Sequence, residues 1–239
     1  METISSENNI KGKSYIAFFD LDDTLIRANS GKLLVRGAYE KGMMSLPDLI
    51  KAFWLSFLNK FRLMDSEKII AGMLNWLAGI PEKSVSDLTT EVFEKHMLHA
   101  IPEEARSEIR MHKDKNAAVV ILSSALSSVC QVVANHLEMD DVICTQIEID
   151  DGRCTGRTAG KLCFGNEKVS RLKEYCEKNN SKIENAWYYA DSFSDFPALQ
   201  IVGNPVCVNP DKKLIIAANK NAWKIYSWKN IQIQERTDK

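Results

Sequence analysis

Tyr15-Ile16-Ala17-Phe18-Phe19-Asp20-Leu21-Asp22-Asp23-Thr24 is the stretch from which the rest of the chain can be read. Tyr15–Phe19 is a short apolar, aromatic, β-rich run that ends in acidic residues, which predicts a fully buried strand. Asp20 and Asp22 follow it directly, one residue apart. Ligands of open parallel sheets collect at the carboxyl ends of strands, so this is where chemistry is expected. Two acids in a bend can face one point, where they repel and protonate unless a divalent cation keeps them ionised. Hard oxygen donors of this kind suit Mg²⁺, which retains waters and takes few protein carboxylates. A bare Asp-x-Asp is most often only an acidic turn or a helix cap, so the remainder of the sequence has to decide.

Beyond the bend the pattern becomes helical from about Gly31 to His99. Leu46, Leu49/Ile50, Phe53/Trp54 and Phe57/Leu58 fall at helical spacing, as do Ile69/Ile70, Met73/Leu74 and Leu77, then Val85, Leu88, Val92 and His96. Breaks come at Gly42–Pro47, Leu63–Ser66 and Gly79–Pro81, and Asp65 or Ser66 can cap a helix. From Pro102 the chain alternates: helix 103–113, strand 117–122, helix 127–137, strand 142–145, strands 146–149 and 153–157 around Asp150-Asp151-Gly152, helix 167–178, strand 186–190, helix 195–199, strand 205–208 and helix 211–219. Asp-Gly between two alternating runs signals a hairpin. The βαβ rhythm predicts an α/β fold, a Rossmann-like, doubly wound parallel sheet with helices on both faces. The early strand belongs to that sheet, so the helical stretch is an insertion. The expected division is a flexible tail at 1–12, a discontinuous core at 13–29 and 100–239, and a helical domain at 30–99.

Composition narrows the classes. The chain has 239 residues, 45% of them hydrophobic, enough for one large core or a core with a smaller domain. Net charge is −1, so no basic excess drives counterion release and no nucleic-acid partner is expected. The apolar stretches reach about six residues where a membrane span needs about 20, so no membrane insertion is expected, and residues 1–13 carry no secretory pattern. The six cysteines are scattered without a Cys-x-x-Cys pair, which reads as reduced thiols in a cytoplasmic protein.

Three more positions sit at strand ends or turns. Tyr188-Tyr189-Ala190-Asp191-Ser192-Phe193-Ser194-Asp195 places two acids after a buried strand; Asp195 alone could merely cap the next helix. Strand 117–122 runs into Ser123-Ser124, whose hydroxyls and N–H groups can hold phosphate oxygens, or could be an ordinary N-cap. Lys168, after the Phe164-Gly165-Asn166 turn, can supply a fixed positive charge, although such a lysine is usually solvated. These weak signals, occurring in one order, reinforce one another.

In that order the residues resemble the haloacid dehalogenase superfamily, and its phosphoserine-phosphatase-like branch (subfamily IB) in particular. Asp20-Leu21-Asp22-Asp23-Thr24 is similar to its DxDxT motif, Val119–Ser123 to the strand ending in the second-motif serine, Lys168 to the third-motif lysine, and Asp191–Asp195 to the DSxxD of motif four. The resemblance implies a C1-type α-helical cap, Mg²⁺ as cofactor, and hydrolysis of a small phosphorylated substrate, with phosphoserine or a related phospho-alcohol as candidate. Asp20 would attack phosphorus and form an aspartyl-phosphate, while Asp22 serves as acid and then base. Thr24 would orient the loop, and Ser123, Ser124 and Lys168 would hold the phosphoryl group. Asp20, the Asp22 carbonyl and Asp191 would ligate Mg²⁺, with Ser192 and Asp195 in support.

Phosphoserine phosphatases usually carry a glutamate soon after motif one, and here Asn29 stands there, which makes "phosphatase" the safer reading than "phosphoserine phosphatase". Asn29, Arg27 and Arg36 are candidate substrate contacts. Dehalogenation needs neither Asp22 nor a metal, and a P-type ATPase needs membrane helices. A phosphotransferase or phosphomutase would use the same site, and a non-catalytic protein retaining the fold is the alternative from another class. The aromatic residues Phe53, Trp54, Phe57, Phe61 and Trp76 could line an apolar substrate pocket, although such a stripe is more often the helical bundle's own core. His96, His99, His112 and His136 show no ligand spacing and read as surface or packed residues. The helical cap is expected to open and close over the site. Oligomeric state is not legible.

Overall fold

The computed structural model describes residues 10–60, 72 and 74–228, leaving aside the side chains of Phe53 and of residues 56–60. The expectations placed on Phe61, Leu63–Ser66, Ile69/Ile70 and Met73, and on residues 1–9 of the tail, lie outside the described residues. The first strand is β1 (Ile16–Phe19), buried throughout. It is joined in one sheet by β2 (Ala118–Leu126), β3 (Asp141–Thr145), β6 (Trp187–Ala190), β7 (Asn204–Val208) and β8 (Lys224–Tyr226). The intervening β4 (Ile147–Asp150) and β5 (Arg153–Thr158) form a separate antiparallel hairpin. The sheet order is β3-β2-β1-β6-β7-β8, and every pairing in it is parallel. The strand order therefore reverses between β1 and β6, where a crevice opens above the carboxyl ends.

Strand alternation assigns the two faces. Ala17, Phe19, Val119, Ile121 and Tyr189 point into one core cluster. It is covered by α1 (Ser30–Glu40), α3 (Glu82–Val92), α4 (Glu103–Asp114) and α5 (Ser127–Leu137), with α2 (Leu46–Lys60) adding Ala52. Ile16, Phe18, Val120, Leu122 and Tyr188 point the other way, against α6 (Asn166–Lys178), α7 (Phe196–Leu199) and α8 (Lys212–Lys220). Ile10 is buried in that second cluster, so the chain is packed from there onward. The helix begun at Glu82 continues through a π turn, Phe93–Met97, and a 3₁₀ turn, Leu98–Ala100. No described helix is long and apolar enough to cross a membrane.

Three features differ from the sequence reading or sharpen it. β8 was not expected; it is three residues long, at a sheet edge, and too short to carry a period. The Asp151-Gly152 turn is the predicted hairpin, with both residues left-handed at φ 46° and 71°. The hairpin does not stand with the sheet alone, however. Gly79 N–H donates to the Cys154 carbonyl at 2.8 Å, Cys154 N–H to Ile80 at 2.9 Å and Glu82 N–H to Gly152 at 3.0 Å, and Cys154 shares a small core with Leu74, Leu77 and Val85.

Gly203 closes the turn into β7. A Cβ built there would lie 1.7 Å from the Glu184 carbonyl oxygen, a backbone atom with no rotamer to give way. Gly203→Ala is expected to lower unfolding stability by about 1–3 kcal/mol or more, read as a shift in the urea midpoint.

Candidate active site

Two adjacent strands deliver the acids. Asp20 follows β1, and its N–H donates to the Tyr189 carbonyl at 2.8 Å, so it continues the β1–β6 register and lies beside Asp191 at the end of β6. The chain then turns tightly: Asp23 is left-handed at φ 56°, Ile26 N–H donates to the Leu21 carbonyl at 3.0 Å, and Thr24 is fully buried. That turn brings Asp22 back beneath the start of α1, where its Oδ1 accepts the Ser30 N–H at 3.0 Å. Thr24 Oγ1 has no hydrogen-bond partner among the described residues.

Lys168 lies in the first turn of α6, after Gly165 at φ 54°. It is 3% exposed, not the solvated lysine its position alone suggests. Its Nζ donates to Asp20 Oδ1 at 2.9 Å, to Asp195 Oδ1 at 2.5 Å and to the Tyr188 hydroxyl at 3.0 Å. The Tyr188 hydroxyl in turn donates to Asp195 Oδ1 at 2.6 Å. Asp195 stands at the N-cap of α7 but makes no side-chain cap bond; its carboxylate serves the lysine instead. Ser192 Oγ accepts from the Ser194 N–H and shapes the turn between the two acids.

Ser123 lies in β2, buried, with its Oγ accepting the Ala125 N–H at 3.3 Å. The β2–β3 register shifts between Leu122 and Leu126, so Ser123 and Ser124 leave the regular ladder, as at a bulge beside a site. Neither caps α5, which begins at Ser127. Carboxylate oxygens of Asp20, Asp191 and Asp195 lie within 4.8 Å of one another, close enough to share an ion.

The electrostatics follow from crowding and burial. Burial raises the Asp20 carboxyl above its usual range, with Lys168 pulling it down and Asp195 pushing it up. Asp191 is pushed up to about 9, by burial first and then by Asp20 and Asp195. Asp22 rises to about 7 through burial, opposed by its bond to Ser30. Burial works to lower the Lys168 ammonium, but Asp195 and Asp20 outweigh it and hold the group charged. Three carboxylates face one ammonium, so the site is short of positive charge, and its hard oxygen donors fit Mg²⁺.

The outer candidates separate. Asn29 lines the cavity beside Asp22, and its Oδ1 caps α1 by accepting the Lys32 N–H at 2.9 Å. Arg27 donates instead to the Trp228 carbonyl at 3.3 Å. Arg36 pairs with Glu40 at 2.8 Å on the solvent face of α1, because that face of an amphipathic helix points away from the sheet. Neither arginine lines the cavity. Trp54 is 61% exposed rather than core, which corrects its reading as bundle interior, while Trp76 packs against the core and also lines the cavity. His112 is fully buried beneath β1, with its pKa lowered to about 4 by burial. Tyr188 was missed: a buried tyrosine hydroxyl needs a partner, and strand alternation put it on the Phe18 face, toward α6.

Comparison with known proteins agrees with this geometry. The sequence pattern of the haloacid dehalogenase-like hydrolases matches residues 17–200. The chain belongs to that family; it is an enzyme, and phosphatases are among the relatives it resembles. It is 27% identical over 215 residues to the phosphoserine phosphatase SerB1 of Mycobacterium tuberculosis, covering 87% of this chain and 69% of that protein. A protein of unknown function from Bordetella pertussis Tohama I has the same fold with a TM-score of 0.82 at 23% identity, over 89% of this chain and 98% of that one. A phospho-aspartyl intermediate analogue of phosphoserine phosphatase superposes with a TM-score of 0.68 at 17% identity, over 91% of this chain and 95% of that one.

The raised carboxyls make stability depend on pH in a definite sense. Asp191, near 9 when folded, is about 3.9 when unfolded, so around neutrality the folded state holds a proton the unfolded chain has lost. Its stabilising share is complete below pH 4 and is lost as pH rises toward 9. Between pH 7 and 8, above the His112 range, the melting temperature of metal-free protein is expected to fall, with the buried thiols adding a smaller share toward pH 8. Adding Mg²⁺ should recover it, more at pH 8 than at pH 7, and Asp191→Asn should reduce both effects, leaving the smaller share that Asp22, near 7, contributes.

Proposed function

We propose that the chain is a Mg²⁺-dependent phosphomonoester hydrolase acting on a small phosphorylated alcohol through an aspartyl-phosphate on Asp20. The observation that carries the reading is the buried contact of Lys168 with both Asp20 and Asp195, beside Asp191 at the strand reversal. Asp20 attacks phosphorus as the bond to the leaving oxygen breaks, and Asp22 gives that oxygen its proton. Asp22 then takes a proton from water, whose oxygen displaces Asp20 from phosphorus and releases inorganic phosphate. A carboxyl near 7 suits both roles at neutral pH. Lys168 fixes the Asp20 carboxylate and meets charge on the phosphoryl oxygens, with Ser123 and Ser124 as further phosphoryl contacts. Asp20, Asp191 and the Asp22 carbonyl would hold Mg²⁺, which would neutralise charge on the transferring group. Thr24 and Ser192 act as positioning residues for the two loops. Residues 13–29 and 100–239 form the catalytic core under this reading, with 30–99 as the cap. Six buried free thiols support a reducing, cytoplasmic location.

Phosphate release from a panel of monoesters is expected with Mg²⁺ and not with chelator. Asp20→Asn should reduce it by about a thousandfold or more; equal turnover by that variant would sink the nucleophile assignment. Asp22→Asn should cost about 10²–10⁴-fold on alkyl esters. With a nitrophenyl ester, whose leaving group needs no proton, its cost should be much smaller.

A further inference from the structure

Beside Asp22 the structure holds a cavity of about 230 Å³. Its polar edge, Asp22, Asn29, Ser30, Lys32 and Ser124, is continuous with the chemistry above. Its wall is different in kind: Leu34 and Val35 from α1, Trp76 from the 3₁₀ turn 75–77, Leu126 and Val129 at the β2–α5 junction, and Phe164 just before the Gly165 turn. Trp76 and Phe164 are only half-buried although both are large apolar groups, so part of each faces the cavity rather than the core. Four separate segments thus turn apolar side chains toward the space in which the alcohol of a phosphate ester would lie. An ammonium or a zwitterion set against the apolar part of this wall, away from Asp22 and Lys32, loses hydration without gaining partners, whereas an apolar group gains by leaving water.

We propose that the site selects phosphate monoesters whose alcohol carries an apolar body, a ring or a short alkyl chain, seated against Trp76, Phe164, Val35 and Val129. The volume is sufficient: an apolar cavity of about 150 Å³ takes up benzene. Specificity is then set by this wall, and the phosphoryl-handling residues are indifferent to it. The inference rests on the phosphomonoesterase reading and narrows its substrate class.

The test uses the full-length chain with Mg²⁺ and three esters: ethyl phosphate and n-butyl phosphate, whose leaving alcohols have similar acidity, and phosphoethanolamine, whose ammonium makes its alcohol the better leaving group. kcat/KM for n-butyl phosphate is expected to exceed that for ethyl phosphate by about tenfold, as two buried methylenes imply, and to exceed phosphoethanolamine by at least as much. Trp76→Ala should shrink the butyl-to-ethyl ratio to about threefold or less, and Val129→Thr, which keeps the side-chain shape, should lower the same ratio. The ratio is the readout, so a loss of folded protein does not imitate the effect. Preference for phosphoethanolamine, or a butyl-to-ethyl ratio near one, overturns the inference while leaving the phosphatase reading intact. Turnover of none of the three overturns both.

Discussion

Lys168 Nζ lies 2.9 Å from Asp20 Oδ1 and 2.5 Å from Asp195 Oδ1, with almost none of the three residues exposed, and this buried ion cluster constrains more of the molecule than any other contact. An ammonium and two carboxylates removed from water cost several kcal/mol each unless geometry and hydrogen bonds compensate. The fold supplies that compensation from elements distant in sequence. β1 and β6 pair in parallel so that Asp20 and the 191–195 turn emerge side by side. Gly165 lets α6 start where its first turn points the lysine at both acids. Tyr188 donates to Asp195 from within the strand. Removing one partner of such a cluster leaves the others buried and unpaired, typically at about 3–5 kcal/mol. The same contacts orient the Asp20 carboxylate, so structural need and positioning coincide.

Much of this was legible in the sequence because it depends on short-range rules. The acids follow β-rich buried runs, and the ends of parallel strands must converge. The hairpin at Asp151-Gly152 announced itself by residue type, and helices 103–113, 127–137 and 167–178 by periodicity. What escaped depends on direction in space. Arg27 and Arg36 are near the site in sequence, yet one side chain reaches the Trp228 carbonyl and the other the solvent-facing Glu40. Tyr188 reads as one more apolar strand residue until α6 is known to lie over that face. β8 has too few residues to show a period, and its place is set by pairing with β7.

The helical stretch and the hairpin are less separable than their sequence positions imply. Residues 79–82 exchange main-chain hydrogen bonds with 152–154, and Arg153 donates to the Gly79 carbonyl at 2.7 Å. The core therefore reaches the helices through the hairpin as well as through the chain crossings near Ser30 and Ile101. Trp76, next to these contacts, forms part of the cavity wall beside Asp22. The cavity wall at Trp76 is thus tied to β5, and under the proposed function that part of the substrate space would rest on a scaffold shared by both parts of the chain.

The central claim is that Asp20, held by Lys168, carries the phosphoryl group during turnover. Rapid acid quench of the enzyme during steady-state hydrolysis, followed by peptide mass mapping, tests it most directly. The account predicts one added HPO₃ group on the peptide containing Asp20, removed by hydroxylamine as an acyl phosphate should be, and absent from Asp20→Asn. A label on Ser123 or on another residue, or turnover with no covalent phosphoenzyme at any quench time, would contradict it.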